Sequence, residues 1–347
     1  MSMSIHDEIL EQPKVIRSLL ADQRGSVERI ASQLRGRGID YVFLAARGTS
    51  DNAGRYANYL LGAHNRLALA LATPSLFSCY RRPPNLKHAL LIGVSQSGQS
   101  PDIVSVLQEG RRQGCPTVAI TNEPESPLAK ASEFVLDIQA GSEKAVAATK
   151  TYTAELMAIA MFSTALNGGQ AHWAELTRVP AWMSTALKQE KAIERASHRY
   201  RYMEQTVVLG RGYNYSTAFE WALKLQEMAY VKAEPYSPAD FQHGPIAMLD
   251  RGFPVLAAAP KGKVLASMLE MLRDVRGKLA AELVVISNDR RVLSLAQLPL
   301  SIPAEIPEWL TPLVGIIPAQ LFAYHLTLAK GYNAEQPRSI RKVTETK

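Results

Sequence analysis

Three hydroxyls and a glycine crowd the run Ser95-Gln96-Ser97-Gly98-Gln99-Ser100-Pro101. It stands between a short apolar stretch, Ala89–Val94, and a helix-like stretch that begins at Asp102. Ser100 suits a helix N-cap and Pro101 the first helical position. Free backbone N–H groups and the positive end of the helix dipole gather at such a place, so it suits a phosphate. An ordinary Ser/Gly-rich strand–helix turn fits the same residues equally well.

A second group of candidates lies on a helix-like stretch after Asn214-Tyr215-Ser216. Glu220, Lys224 and Glu227 sit at i, i+4 and i+7, within roughly 60° of one another on one face. On spacing alone they read as a solvent-exposed Glu–Lys–Glu ladder, stabilising by a few tenths of a kcal/mol per pair. His243, in Asp240-Phe241-Gln242-His243-Gly244-Pro245, belongs to a turn. A lone turn histidine is by default a surface residue, although imidazole titrates where proton transfer to a sugar ring oxygen would need it. The loop Glu143-Lys144-Ala145-Val146-Ala147-Ala148-Thr149-Lys150 is rich in small residues. It suits close approach of backbone to a ligand, or equally a tight helix start. The tail holds Arg338, Arg341 and Lys342, three basic residues in five, and reads by itself as a frayed end. No metal-ligand spacing is present, and His64, His88, His172, His198 and His325 are scattered.

Composition bounds what these residues can serve. The chain has 347 residues, 47% apolar and 20% charged, which is globular and long enough for two domains. A net charge of +7 and a pI near 9.3 favour anionic partners. The charge is spread out, so neither a basic helix nor a nucleic-acid partner is indicated. Cys79 and Cys115 form no CxxC, and a disulfide framework is not expected. The first residues carry acids where a signal peptide would carry positive charge. Trp309 to Ala329 is uncharged, but Pro312, Pro318, Gln320 and His325 interrupt it. It is expected to be a packed helix rather than a membrane span, and the expected compartment is the cytoplasm.

The elements that must position these groups come twice. Val42-Phe43-Leu44-Ala45-Ala46-Arg47-Gly48-Thr49-Ser50 is echoed by Val207-Val208-Leu209-Gly210-Arg211-Gly212-Tyr213-Asn214, with Gly48 and Gly212 164 residues apart. At that offset Ser97-Gly98 falls on Lys261-Gly262, so the hydroxyl loop has no second copy. A period this long means duplicated domains. Alternating apolar and helix-like runs predict an α/β fold: two tandem domains, each a parallel sheet with helices on both faces, flavodoxin-like. Ligands in such sheets sit at the carboxyl ends of the strands. The expected division is a helical segment over 1–30, a first domain over 31–170 and a bridging helix over 171–200. A second domain follows over 201–330, then a tail over 331–347.

Taken together, these segments resemble the sugar isomerase (SIS) family, in particular the isomerase domain of glucosamine-6-phosphate synthase and the class II glucosamine-6-phosphate deaminases. The resemblance is carried in order by Glu8-Ile9-Leu10-Glu11-Gln12-Pro13, Arg47–Ser50, Ser95–Gly98, Val146–Lys150, Glu220–Glu227, His243–Pro245, and Gln336-Pro337-Arg338 with Lys342. It implies that Gly48, Thr49, Ser50, Ser95, Gln96, Ser97, Gly98 and Ser100 hold a 6-phosphate and nearby hydroxyls. Val146 and Ala147 would line the same pocket. It further implies that Glu227 moves a proton between C1 and C2, assisted by Glu220 and Lys224. His243 would open the sugar ring from the partner subunit of a homodimer. Lys342 would lie near the carbonyl, on a tail closing over the site, where it can form a Schiff base. No metal or organic cofactor is implied.

There are departures from the family pattern. The synthase has an N-terminal glutaminase domain with a cysteine nucleophile; here nothing precedes the isomerase-like region, so glutamine-dependent synthesis by this chain alone is not expected. Arg341 stands where the synthase has a small residue. The expected activity is therefore deamination and isomerisation of an amino-sugar 6-phosphate, glucosamine 6-phosphate giving fructose 6-phosphate and ammonia. The alternatives are an aldose–ketose phosphosugar isomerase, or the isomerase part of a synthase-like aminotransferase. A reading of another class is a non-catalytic sugar-phosphate sensor.

Overall fold

Among the described residues the short apolar runs become ten strands in two sheets, and every pairing is parallel. The computed structural model describes residues 4–342; positions 343–347 of the expected tail and 1–3 of the leading segment lie outside the described residues. The first sheet contains β1 (Tyr41–Ala45), β2 (Ala68–Leu71), β3 (Ala89–Val94), β4 (Thr117–Thr121) and β5 (Phe134–Asp137), in the order β2-β1-β3-β4-β5. The second contains β6 (Gln205–Gly210), β7 (Lys232–Tyr236), β8 (Pro254–Ala258), β9 (Glu282–Ser287) and β10 (Leu298–Ser301). Its order, β7-β6-β8-β9-β10, repeats the first strand for strand. The α/β expectation of two tandem doubly wound domains is thus met.

Burial explains the composition of the strands. Every residue of β3, β4 and β8 is buried, as strands covered by helices on both faces must be, and they are rich in Val, Ile, Leu and Ala. Of the four edge strands, β2 and β10 are four residues each and partly exposed, which limits strand-to-strand aggregation there. Beneath the first sheet Leu91, Leu107, Ala119 and Leu128 share one cluster; beneath the second Val255, Leu272, Leu283 and Val285 share its counterpart.

The chain divides into two compact units. One holds the first sheet with residues 14–144, 148–178 and 341–342; the other holds the second sheet with residues 4–13, 145–147 and 179–340. The leading helix, Ile5–Leu34, therefore contributes its first turns to one unit and the remainder to the other. Pro13 lies inside it and cannot donate to the carbonyl of Ile9. The side chain of Gln12 replaces that donor, giving one hydrogen bond to the Ile9 carbonyl (2.9 Å) and one to Gln320 (2.8 Å). The proline is thereby tolerated without an orphaned backbone group.

The stretch read as one bridging helix is three, Gln170–Leu176, Val179–Leu187 and Glu190–Ser197, followed by a 310 turn. The uncharged stretch near the end forms the helix Thr311–Ala329, on which sixteen residues are buried. It packs on the helices Val179–Leu187, Glu190–Ser197 and Tyr215–Met228 of its own unit. Apolar character all round a helix, with burial to match, is that of a core element.

Candidate active site

In the first domain two loops meet at the carboxyl ends of β1 and β3. After β1, Arg47 is extended and Gly48 opens the helix Gly48–Asn65 with φ +53°. After β3, Ser95 to Ser100 lead into the helix Pro101–Arg112, with Ser100 at the N-cap and Pro101 at the first position. The Ser100 hydroxyl makes no capping bond, which leaves it available at the helix mouth. Arg47 joins the two loops through an ion pair of 2.9 Å to the buried Asp102.

The loop is held from behind. The Gln96 carbonyl accepts from Asn122 N (3.1 Å) and the Thr121 hydroxyl (3.3 Å), and the Gly98 carbonyl accepts from Leu128 N (3.1 Å). Carbonyls that would repel an anion are thus committed to β4 and the segment after it. Ser95 Oγ accepts from Gly98 N, and Ser97 Oγ from Gln99 N. Ser50 Oγ donates to Glu155 at 2.8 Å. Gly98 has φ +61°, and a Cβ there would lie 2.1 Å from Ser126 Oγ. Gly98→Ala adds left-handed strain of roughly 1–2 kcal/mol to that clash. It should weaken binding of inorganic phosphate at least about tenfold, as read by isothermal titration.

Beside this loop is a polar recess of about 510 Å3, lined by Gln96, Asn122, Glu123, Asp137, Gln139 and Glu143 among others. Three carboxylates make it a poor seat for phosphate and a suitable one for hydroxyls or a cation. One of the three, Glu143, already has a cation: Lys342 Nζ lies 2.5 Å from its Oε2. Glu143 was not among the residues expected to act. Its only sequence signal is an acid at the head of a small-residue loop.

The second domain supplies the helix Tyr215–Met228. The exposed ladder that spacing suggested is not what forms. Glu220 and Lys224 are completely buried, and only Glu227 is partly accessible, at 25%. Lys224 Nζ lies 2.6 Å from Glu227 and 3.3 Å from Glu220. Burial pulls the Lys224 amine down, but the two carboxylates outweigh it and hold the amine above its ordinary value. The cluster is thus one ammonium between two acids.

His243 follows the short helix Pro238–Gln242 and is exposed. Among the described residues no hydrogen bond or ion pair ties it to Glu220, Lys224 or Glu227. Val146, half-buried, and Ala147, buried, form a bend that belongs to the same unit as that helix. Thr49, Ser50, the Ser95–Ser100 loop and Lys342 belong to the other unit.

The second domain also repeats the paired loops. Arg211 has φ −140° and ψ 152°, against −140° and 153° at Arg47, and Gly212 has φ +62°. Between its loops, however, lies a side chain of the same domain. Glu308 Oε2 accepts from Lys263 N at 2.9 Å, and its Cδ is 2.0 Å from where a Cβ on Gly262 would be. Burial, then this carboxylate, push the Tyr213 phenol up.

Two domains of one topology, each with an Arg-Gly loop after its first strand, match the SIS domain over residues 38–165 and 201–330. The chain belongs to the SIS domain family. This SIS chain is 34% identical, over 351 residues, to the isomerizing glutamine–fructose-6-phosphate aminotransferase of Thermus thermophilus. That match covers 96% of the chain and 57% of the relative, so the chain spans little more than half the relative's length. Among solved structures, the C-terminal domain of glucosamine-fructose-6-phosphate aminotransferase from Francisella tularensis superposes with a TM-score of 0.87 at 28% identity. It covers 97% of this chain and 99% of that one. The glucosamine-6-phosphate deaminase of Thermotoga maritima has a TM-score of 0.73 at 19% identity, covering 96% of this chain and all of that one; this shows a shared fold only.

Proposed function

We propose that this SIS chain is a phosphosugar isomerase of the aminotransferase-associated type, acting on an aldose–ketose pair of hexose 6-phosphates such as glucose and fructose 6-phosphates. The observation that carries the reading is the buried Lys224 between Glu220 and Glu227, with Glu227 alone reaching solvent. Glu227 takes the proton from C2 of the aldose and returns it to C1, through an enediol whose oxygens exchange one proton. Lys224 stays protonated. The Ser95–Ser100 loop, with Thr49 and Ser50, holds the 6-phosphate, a non-reacting part of the substrate whose binding fixes the reacting end. His243 opens the ring from a second copy of the chain, and Lys342 faces the carbonyl. The compartment is the cytoplasm.

Deamination, the leading expectation from sequence, gives way to this alternative. The relatives similar in sequence are isomerizing aminotransferases, whereas the deaminase shares the fold alone. A sensor would need only the phosphate loop. A buried ion cluster is no more stabilising than apolar residues of the same volume, which favours a role in chemistry over a structural one.

The test is proton exchange. Glucosamine, fructose and glucose 6-phosphates are incubated separately with the protein in D2O, and NMR follows deuterium at C1 and C2. Enzyme-dependent deuterium with the glucose or fructose compound is expected. Absence of exchange in all three overturns the proposal.

A further inference from the structure

Glu143 carries a negative charge in a place where charge is costly, and the chemistry above gives it no task. Its side chain is completely buried, whereas that of Lys342 is 23% exposed. Oε1 accepts from Thr149 N (2.9 Å) and Thr151 N (3.1 Å). Oε2 accepts from the Thr151 hydroxyl (2.8 Å) and from Lys342 Nζ (2.5 Å). Burial pushes the carboxyl up, but the charge and hydrogen bond of Lys342 and the two backbone donors outweigh it, so the group is held below its ordinary value. Glu143 is therefore a fixed anion.

Anchoring the start of the helix Lys150–Asn167 would account for three of its four bonds. It does not account for the fourth. The tail has its own attachments before residue 342: Glu335 accepts from Ile5 N (3.1 Å), and Arg338 lies over the rings of Tyr230 and Tyr332 at 4.5 and 5.0 Å. What Glu143 adds is the placing of one amine. Glu143 itself lines the recess that Gln96 of the hydroxyl loop also lines.

We propose that Glu143 is a positioning residue: it seats the Lys342 amine beside the hydroxyl loop, where a sugar held by that loop presents its carbonyl. The catalytic part of this statement rests on the isomerase reading; the seating does not. The two are tested separately.

Seating is read without turnover. Wild type, Glu143→Gln, Glu143→Asp and Lys342→Met are treated with acetic anhydride at one pH, and acetylation of each lysine is followed by peptide mass spectrometry. In Glu143→Gln, Lys342 should react at least about tenfold faster, as expected for loss of a charged hydrogen bond. Lys278, 74% exposed and remote in sequence, should be unchanged, and Glu143→Asp should be intermediate. An unchanged Lys342 rate in a folded Glu143→Gln or Glu143→Asp protein overturns the seat.

Positioning is read from kinetics. Glu143→Gln should lower kcat by about a hundredfold, the order seen for a misplaced catalytic group, with KM for the phosphosugar nearly unchanged. In a Lys342→Met background the same change should lower kcat no further. Equal losses in both backgrounds, or a loss confined to KM, would mean a structural anchor and overturn the proposal. If wild type itself turns over no phosphosugar, the isomerase reading falls, while acetylation still decides the seat.

Discussion

Replacing Glu227 by glutamine should give a protein that folds and binds phosphosugar but does not exchange the C2 proton. The substitution keeps size and shape, and the position is a quarter exposed, so it leaves no buried cavity. What it removes is the proposed base. The neighbouring Lys224 is held protonated and cannot take over. Loss of a positioned general base lowers kcat by about 10²–10⁴-fold, whereas KM should change little. Deuterium incorporation and steady-state kinetics measure both. Exchange at the wild-type rate in Glu227→Gln would remove this carboxylate from the mechanism.

Replacing Lys224 by methionine should be the most destabilising single change in this helix. Methionine fills much of the space, but Glu220 is then a completely buried carboxylate without its cation. Breaking a buried pair from one side costs about 3–5 kcal/mol, roughly 10 °C in melting temperature for domains of this size. The pH dependence has a definite sign. In wild type the Lys224 amine is raised in the folded state. Its contribution is complete below the ordinary lysine value and is lost only as pH rises through the raised one, so it is constant around neutrality. In the variant the penalty should shrink toward acid pH, where a lone buried carboxyl takes a proton. Urea unfolding at pH 5 and pH 7.5 checks this: the stability gap to wild type should be smaller at pH 5. A larger gap there would contradict the ion-cluster account.

The fold was largely legible because its signals are local and come twice. Apolar runs of four to six residues separated by amphipathic runs dictate parallel sheets, and the offset of Gly48 and Gly212 exposes the duplication. The hydroxyl loop was legible for the same reason: Ser100-Pro101 marks a helix start whatever lies around it. The acidic helix face was not. Spacings of i, i+4 and i+7 are identical for a solvated ladder and for a buried cluster, and only packing by Trp221, Leu225 and the helix Thr311–Ala329 decides between them. Glu143 was missed because its partner lies 199 residues away, beyond any local pattern. The leading helix read correctly as helix, yet nothing in its sequence before Pro13 shows that the two sides of that proline belong to different units.

Glu308 gives the duplication a numerical consequence. A chain with two equivalent mouths would titrate with two equivalents of ligand. In the second copy the backbone N–H of Lys263 already holds a carboxylate from its own chain, covalently tethered and never diluted. A free anion would have to displace it against that tether. Titration with a phosphosugar should therefore saturate at one equivalent per chain, although the fold is built twice.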